Sequence, residues 1–271
     1  MSALLPMEAG VEVRPVTQFA RYVGIDYSGA EAPVSRLRAL QVYAYDASGE
    51  ALAVPPYDRG ARNWCRKEVA RYVRECLLGD APCIIGIDHG FSFPIAYFQR
   101  HAIASWGAFL DHFSHHWRTE YDHMHVDFAR RDNPPGGAAT DLRLCERWTV
   151  GAKSVFQFDV QGSVAKSTHA GLPWLRQLRI DRRVRARTHF WPFDGFTVEP
   201  GRSVVAEIFP SLFRRRYRRV LRSADEHDAY VVASWLHEMD ARGALREYFN
   251  PPLTLAERRQ AQLEGWILGV R

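Results

Sequence analysis

The sequence predicts an α/β protein in which helices flank a mixed β-sheet. Two apolar, β-branched runs end in the same tripeptide, Gly24-Ile25-Asp26 and Gly86-Ile87-Asp88, and such runs are typical of buried strands. The first run precedes closely spaced strands, whereas the second follows a segment with helical periodicity. Short connections favour antiparallel pairing and a helical crossover favours parallel pairing, so we expect both kinds in one sheet.

The composition is typical of a globular protein. The chain has 271 residues, of which 46% are hydrophobic and 25% are charged. No stretch approaches the roughly 18 consecutive apolar residues that a membrane helix requires, and residues 1–16 lack the pattern of a secretory signal. We therefore expect a cytoplasmic protein with a loose arm at 1–19. A single domain at 20–271 should carry an irregular helical insertion at about 95–200.

The first half of the predicted sheet follows from local pattern. Strands are expected at 22–27, 39–45 and 51–54, with a turn at 46–49 between the last two. Residues 61–78 carry apolar side chains at helical spacing, and 83–88 return as a strand. A strand, a crossover helix and a strand usually form a right-handed parallel unit. Asp26 and Asp88 should therefore lie at the same edge of the sheet.

The remaining elements are less regular until the last third of the chain. Helices are expected at 103–117 and, in part, at 164–178, and 188–196 forms an aromatic extended segment. Order resumes with a strand at 203–209, a short helix at 210–221 and a strong helix from 226 to 239. A final helix spans 253–263.

Several carboxylates occupy positions that should be buried. Glu207 interrupts an otherwise apolar strand, where it needs either an ionic partner or a metal ion, and the metal is the preferred interpretation. Asp228 shares a helix face with Val231, Val232 and Trp235, so it should face the core. Asp225 falls in the first turn of the same helix, where the helix dipole stabilises a carboxylate whatever its function.

This set of acids predicts a site for a hard cation. Carboxylates without cysteine or histidine partners favour Mg²⁺ or Mn²⁺. Two such ions about 3.5–4 Å apart can activate a water molecule and stabilise the leaving oxygen in phosphodiester hydrolysis. The alternative is that the acids pair with arginines, since all but three of the 36 basic residues are arginine.

These residues resemble the pattern of the ribonuclease H-like superfamily. Its members share three antiparallel strands, a helix, a parallel fourth strand, further helices and a fifth strand. An acid on the first strand, one at the end of the fourth and one on the last helix bind its metal ions. Asp26, Asp88 and Asp228 match these positions, and Asp225-Glu226-His227-Asp228 is similar to the paired acids of RuvC-type resolvases.

The chain resembles more closely the family called domain of unknown function 429, whose members are predicted nucleases of this fold. The matching segments are Val23-Gly24-Ile25-Asp26, Ile85-Gly86-Ile87-Asp88, Ala206-Glu207-Ile208-Phe209-Pro210, Asp225-Glu226-His227-Asp228-Ala229 and Glu264-Gly265-Trp266-Ile267. The resemblance implies a mixed five-stranded sheet flanked by helices and a metal-dependent nuclease or phosphodiesterase.

The expected site follows from the acids and the resemblance together. Asp26, Asp88 and Asp228 would hold Mg²⁺ or Mn²⁺, with Glu207 and Asp225 as auxiliary ligands or bases. Lys166 would stabilise developing charge. The expected partner is DNA or RNA, and the formal charge of +5 permits it without requiring it. Arginine groups at 214–219 and 179–187 are candidate contacts to a phosphate backbone.

Two other functions are compatible with the sequence. One is a nucleotide-dependent phosphotransferase of the actin or sugar-kinase type, whose folds also begin with a Gly-Ile-Asp strand. Those proteins need two such domains, and this chain has the length for about one. The other is a binding module for nucleic acid without catalytic activity.

Overall fold

The computed structural model describes residues 17–45, 49–133, 136–160 and 162–271. The predicted arm lies outside these residues up to position 16, as does most of the predicted turn, at 46–48. The described end of that arm is not loose. The backbone N–H groups of Gln18 and Phe19 donate to Oδ2 of Asp240 at 2.8 and 3.1 Å, and the ring of Phe19 is buried.

The described chain forms an α/β fold around one mixed sheet of six strands. They are β1 (Arg21–Asp26), β2 (Gln41–Tyr45), β3 (Ala51–Ala53), β4 (Cys83–Asp88), β5 (Thr188–Trp191) and β6 (Ser203–Glu207). Their order is β3-β2-β1-β4-β6-β5. Strand β2 runs antiparallel to both of its neighbours, and every other pairing is parallel.

The predicted α/β class and mixed sheet are confirmed, but the predicted count of five strands is wrong. The additional strand is β5, which comes from the segment expected only to be extended. Its four residues are all buried, and it pairs in parallel with β6. Buried backbone groups need hydrogen-bond partners. The edge of β6 that does not pair with β4 supplies them for β5.

Ten helices accompany the sheet in the described residues. They are α1 (Arg66–Leu78), α2 (Ile95–Arg100), α3 (Trp106–His116), α4 (Val126–Asp132), α5 (Leu144–Arg147), α6 (Ala165–Ile180), α7 (Arg182–Arg187), α8 (Ala224–Ala241), α9 (Leu245–Tyr248) and α10 (Leu255–Glu264). Helices α2 to α7 lie between β4 and β5, within the predicted insertion. None of the described helices is both long enough and apolar enough to cross a membrane.

The short helix expected at 210–221 is absent. Two 3₁₀ turns, Pro210–Leu212 and Arg214–Arg216, occupy the start of this segment instead. The second turn buries none of its residues, so it offers no apolar face to pack against the sheet. A helix held mainly by tertiary packing needs such a face, which explains the difference from the prediction.

Two hydrophobic cores lie on opposite faces of the sheet. Val23, Ile25, Ile85 and Ile87 point into the core shared with α1 and α6. Tyr22, Ile84, Val204 and Ala206 point into the other core, which is shared with α8. Because strand side chains alternate between the two faces, residues 24, 26, 86 and 88 lie on the α8 side.

The two glycines of the repeated tripeptide let α8 approach the sheet closely. Gly24 and Gly86 are partners in the parallel register of β1 and β4. A Cβ atom on Gly24 would lie 2.1 Å from the carbonyl oxygen of Ala229, and one on Gly86 would lie 2.7 Å from Cγ1 of Val232. The glycines therefore form a flat patch on which the helix backbone rests.

We expect Gly24→Ala to lower the free energy of unfolding by about 2–3 kcal/mol, because overpacking a filled interior typically costs ~1–3 kcal/mol. Gly107→Ala in α3 is the matched control, since a Cβ there meets nothing within 4 Å and alanine favours the helix by up to about 1 kcal/mol. Urea denaturation of both variants measures the difference. Similar stability of the two variants would contradict the close approach of α8.

Candidate active site

Asp26 and Asp88 lie side by side at the carboxyl ends of β1 and β4. The two strands pair in parallel, and these aspartates are direct partners in the register. This confirms the predicted adjacency. Both side chains lie on the α8 face by the alternation of the strands, at the edge where the loops of a parallel sheet commonly form a site.

Helix α8 brings a third acid to the same edge. Ser223 and Glu226 form a capping box, with the Ser223 N–H donating to Glu226 Oε2 at 2.7 Å. The helix runs antiparallel to β1, because Asp240 near its end accepts from the Tyr22 hydroxyl at 2.7 Å. Asp228 lies one turn before Val232, which packs on Gly86, and it is buried as predicted. It therefore reaches the ends of β1 and β4.

The acids at this edge raise one another's pKa values. The pKa of Asp26 is raised well above its usual value, first by burial and then by the charges of Asp88, Asp228 and Asp225. The pKa of Asp88 is raised to about 8, first by burial and then by Asp228 and Glu207. Two buried carboxylates held this close cannot both ionise readily without a cation.

Arg214 supplies a positive charge to this edge. Its guanidinium donates to both oxygens of Asp228, with an Nε–Oδ1 distance of 2.7 Å. Its charge also lowers the pKa values of Asp26 and Asp88, against the larger effect of burial. The Arg214 side chain is 49% exposed, whereas that of Asp228 is 10% exposed. The arginine therefore reaches in from the surface to a largely buried carboxylate.

Asp225 lies near these acids but is less buried. It occupies the first turn of α8, and its pKa is raised by burial and by Asp228, while Arg38 and Arg214 oppose the shift. It also raises the pKa of Asp26. The helix dipole and the neighbouring acids thus act on Asp225 in opposite directions.

Glu207 has an ionic partner, which is the alternative the sequence left open. Arg143 donates to Oε1 and Oε2 of Glu207 at 2.6 and 2.7 Å, and the backbone N–H of Phe91 donates to Oε2 at 2.9 Å. Glu207 pairs in register with Ile87, so its side chain leaves the sheet on the face opposite to Asp88. These contacts favour a structural role over that of an auxiliary ligand or base.

Lys166 is not brought together with the acids. Its carbonyl group lies against Gly29 in the loop after β1, but its ammonium pairs with Oδ2 of Asp127 at 2.6 Å. Both side chains of this pair are substantially exposed. The contacts of Lys166 are therefore those of a surface ion pair.

A cavity of about 190 Å³ opens beside Asp88. Its lining includes Tyr27, Arg143, Ser167 and Glu207. Tyr27 contributes to this lining, but its hydroxyl is buried in the interior, where Arg66 is the main charge acting on its pKa. The cavity therefore lies between Asp88 and the buried Arg143–Glu207 ion pair.

The donor set at this edge suits a hard cation in its chemistry, because it consists of carboxylate oxygens. In the part of the chain that the structure describes, no group of three or more His, Cys, Asp or Glu residues is arranged to hold a metal ion. Arg214 engages both oxygens of Asp228. Asp26 and Asp88 are the buried carboxylates at this edge that Arg214 does not engage.

The sequence identified the acids but not the groups that surround them. Arg143 has a local partner in Glu146, three residues on, but its pairing with Glu207, 64 residues away, has no signal in the sequence. Arg214 belongs to an arginine run that was expected to contact a phosphate backbone, and Tyr27 follows Asp26 directly.

Comparisons of the chain with protein-family models, curated proteins and solved structures found no match.

Proposed function

We propose that this protein is a metal-dependent hydrolase that cleaves phosphodiester bonds in nucleic acid. One observation carries the proposal: Asp26 and Asp88 are paired in register at a buried edge of the sheet, and α8 adds Asp228 beside them. Buried acids whose pKa values are raised by neighbouring charges, as those of Asp26 and Asp88 are, are typical of functional sites.

The order of the strands supports a ribonuclease H-like arrangement. Strands β1, β2 and β3 form an antiparallel meander, α1 crosses over, and β4 joins β1 in parallel. Strand β6 corresponds to the fifth strand of that superfamily, and β5 is an addition at the edge. The acids then stand at the end of the first strand, at the end of the fourth and on a late helix.

Asp26, Asp88 and Asp228 would hold Mg²⁺ or Mn²⁺. When bound, such an ion supplies the positive charge that activates a water molecule and stabilises the leaving oxygen. The raised pKa of Asp88, about 8, means that this carboxyl retains a proton near neutral pH in the absence of a cation, and burial and neighbouring acids raise the pKa of Asp26 as well. Cation binding should therefore release a proton from this pair.

Arg214 is a candidate for contacting the substrate. Its guanidinium suits a phosphate, since its planar fork can donate two hydrogen bonds at once. It can bind and orient a phosphodiester without taking part in proton transfer.

The test is cleavage of labelled single-stranded DNA, duplex DNA, RNA and branched DNA with Mg²⁺ or Mn²⁺. We expect the wild type to cleave at least one of these substrates and Asp26→Asn to lose at least about 100-fold in rate, because a catalytic metal ion contributes several kcal/mol to the transition state. Asp80→Asn is the matched control, since Asp80 is exposed in the turn before β4.

Two outcomes would count against the proposal. The first is the absence of cleavage of every substrate by the purified wild type. The second is equal cleavage by Asp26→Asn and Asp80→Asn. Tight nucleic-acid binding without cleavage would instead favour a binding module.

A further inference from the structure

A cleft of about 780 Å³ lies between α3, α7 and the ends of α6 and α10. Five arginines line it, and Asp111 is the only acid among the lining residues. The arginines are Arg176, Arg179, Arg182, Arg185 and Arg259. We call this feature the arginine cleft. None of the acids at the ends of β1 and β4 lines it.

Four of the arginines recur at every third position along the chain. Arg176 and Arg179 belong to α6, and Arg182 and Arg185 belong to α7, which begins two residues after α6 ends. Within each helix a three-residue step advances about 4.5 Å along the axis, and Asp181, whose backbone is extended, separates the two helices. Each helix therefore brings two guanidinium groups to the cleft, which suits an anion with repeated charges.

The arginine cleft carries uncompensated positive charge. Arg176 pairs with Asp111 at 2.7 Å, and Arg179 pairs with Asp194 at 2.7 Å. Within the described part of the chain, Arg182, Arg185 and Arg259 have no carboxylate partner, and all three are exposed. Three exposed positive charges in one concave surface attract an anion more strongly than scattered charges do.

The arginine cleft lies close to the acidic edge. A Cβ atom on Gly265 would lie 3.1 Å from Cζ of Phe193, which lines the cleft. The same atom would lie 3.5 Å from Nη1 of Arg143, which lines the cavity beside Asp88. Residues that line the two spaces therefore meet at the backbone of Gly265, which is buried and lines neither space.

We infer that the arginine cleft binds the phosphodiester backbone of a single nucleic-acid strand. The part of the strand next to the cleft then presents a phosphodiester bond to Asp26 and Asp88. This inference rests on the proposed function. The volume is that of a small-ligand site and accommodates a few nucleotides rather than a duplex. Phe193 stacks on Trp106 at a centroid distance of 3.8 Å, so these rings already have partners and the cleft contacts the backbone rather than the bases.

The test measures how tightly a fluorescently labelled 12-nucleotide DNA strand binds to the full chain in EDTA. Fluorescence anisotropy gives the binding constant K at several salt concentrations. We expect Arg182→Ala/Arg185→Ala to weaken binding roughly tenfold or more. It should also lower the slope of log K against log salt by about 1.4, since each lost contact to a single strand contributes about 0.7. The control is Arg246→Ala, an exposed arginine that lines a different cleft.

Three outcomes would overturn the inference. The double variant could bind the strand as tightly as Arg246→Ala does. The wild type could bind a duplex of the same sequence more tightly than the strand. It could also bind phosphatidylserine vesicles in preference to the strand.

Failure of this inference is distinguishable from failure of the proposed function. Hydrolysis of bis(p-nitrophenyl) phosphate reports on the acids alone, and Arg182→Ala/Arg185→Ala should retain it. If the double variant keeps hydrolysis and binds the strand as tightly as the wild type, only the inference about the arginine cleft is overturned. Strand binding that depends on these arginines, with no cleavage by the wild type, overturns only the hydrolase.

Discussion

Replacing Asp88 with asparagine is expected to abolish metal-dependent cleavage and, at the same time, to stabilise the metal-free protein at alkaline pH. The loss of cleavage should be at least about 100-fold, for the reason given for Asp26. The gain in stability has a separate cause. Burial and the neighbouring acids raise the pKa of Asp88 to about 8, so its ionised form destabilises the folded state.

The sign of the pH dependence follows from proton binding. Between about pH 4 and pH 8 the folded state holds a proton on Asp88 that the unfolded chain releases, so wild-type stability falls as the pH rises through this window. Asparagine carries no charge and avoids this loss. Each tenfold difference in proton affinity corresponds to about 1.4 kcal/mol, so the gain at pH 9 should reach several kcal/mol, up to about 5.

Urea denaturation in EDTA at pH 4 and pH 9 measures this effect. The two proteins should have similar stability at pH 4, where Asp88 is protonated in the wild type, and differ most at pH 9. Asp80→Asn should show no such dependence, because its side chain is exposed. A lower stability of Asp88→Asn than of the wild type at pH 9 would contradict the conclusion that neighbouring acids at this edge destabilise ionised Asp88.

Arg143→Met is expected to destabilise the fold by about 3–5 kcal/mol. Arg143 is 1% exposed, and it binds Glu207 at 2.6 Å and Glu146 at 2.8 Å, both of which are also buried. Its removal leaves two buried carboxylates without their cation, and breaking a buried pair in this way is strongly destabilising. The loss should show as a lower midpoint in urea denaturation at pH 7.

Two further variants separate charge from side-chain size at this position. Arg143→Met/Glu207→Gln should recover part of the loss, because one of the two unpaired charges is then absent. Arg147→Met should cost less than about 0.5 kcal/mol, since Arg147 is exposed and its side chain donates to the carbonyl of Leu142 rather than to a carboxylate among the described residues. An equal loss in Arg143→Met and Arg147→Met would refute the importance of the buried network.

Local sequence pattern determined a large part of this fold. Apolar runs placed β1, β4 and β6, the crossover segment predicted the parallel pairing of β1 and β4, and the Ser223 capping box placed the start of α8. Asp228 could be predicted to be buried because it shares a helix face with apolar residues. These features depend on neighbours a few positions away, which a single sequence displays directly.

Other features depended on contacts between distant parts of the chain. The edge position of β5 required knowing that β6 was free to pair, and the partner of Glu207 could have been any of 33 arginines. The role of glycine in the repeated tripeptide also appears only when α8 rests on Gly24 and Gly86.

The sequence by itself determined that two strands end in an acid and that a late helix carries a third acid on its buried face. Only the tertiary structure decided whether Asp228 and Glu207 join the edge at which Asp26 and Asp88 were expected to meet. Asp26, Asp88 and Asp228 share this edge because register and helix packing place them on the same face of the sheet. Glu207 differs because it pairs with Ile87 and so points to the opposite face, where Arg143 binds it.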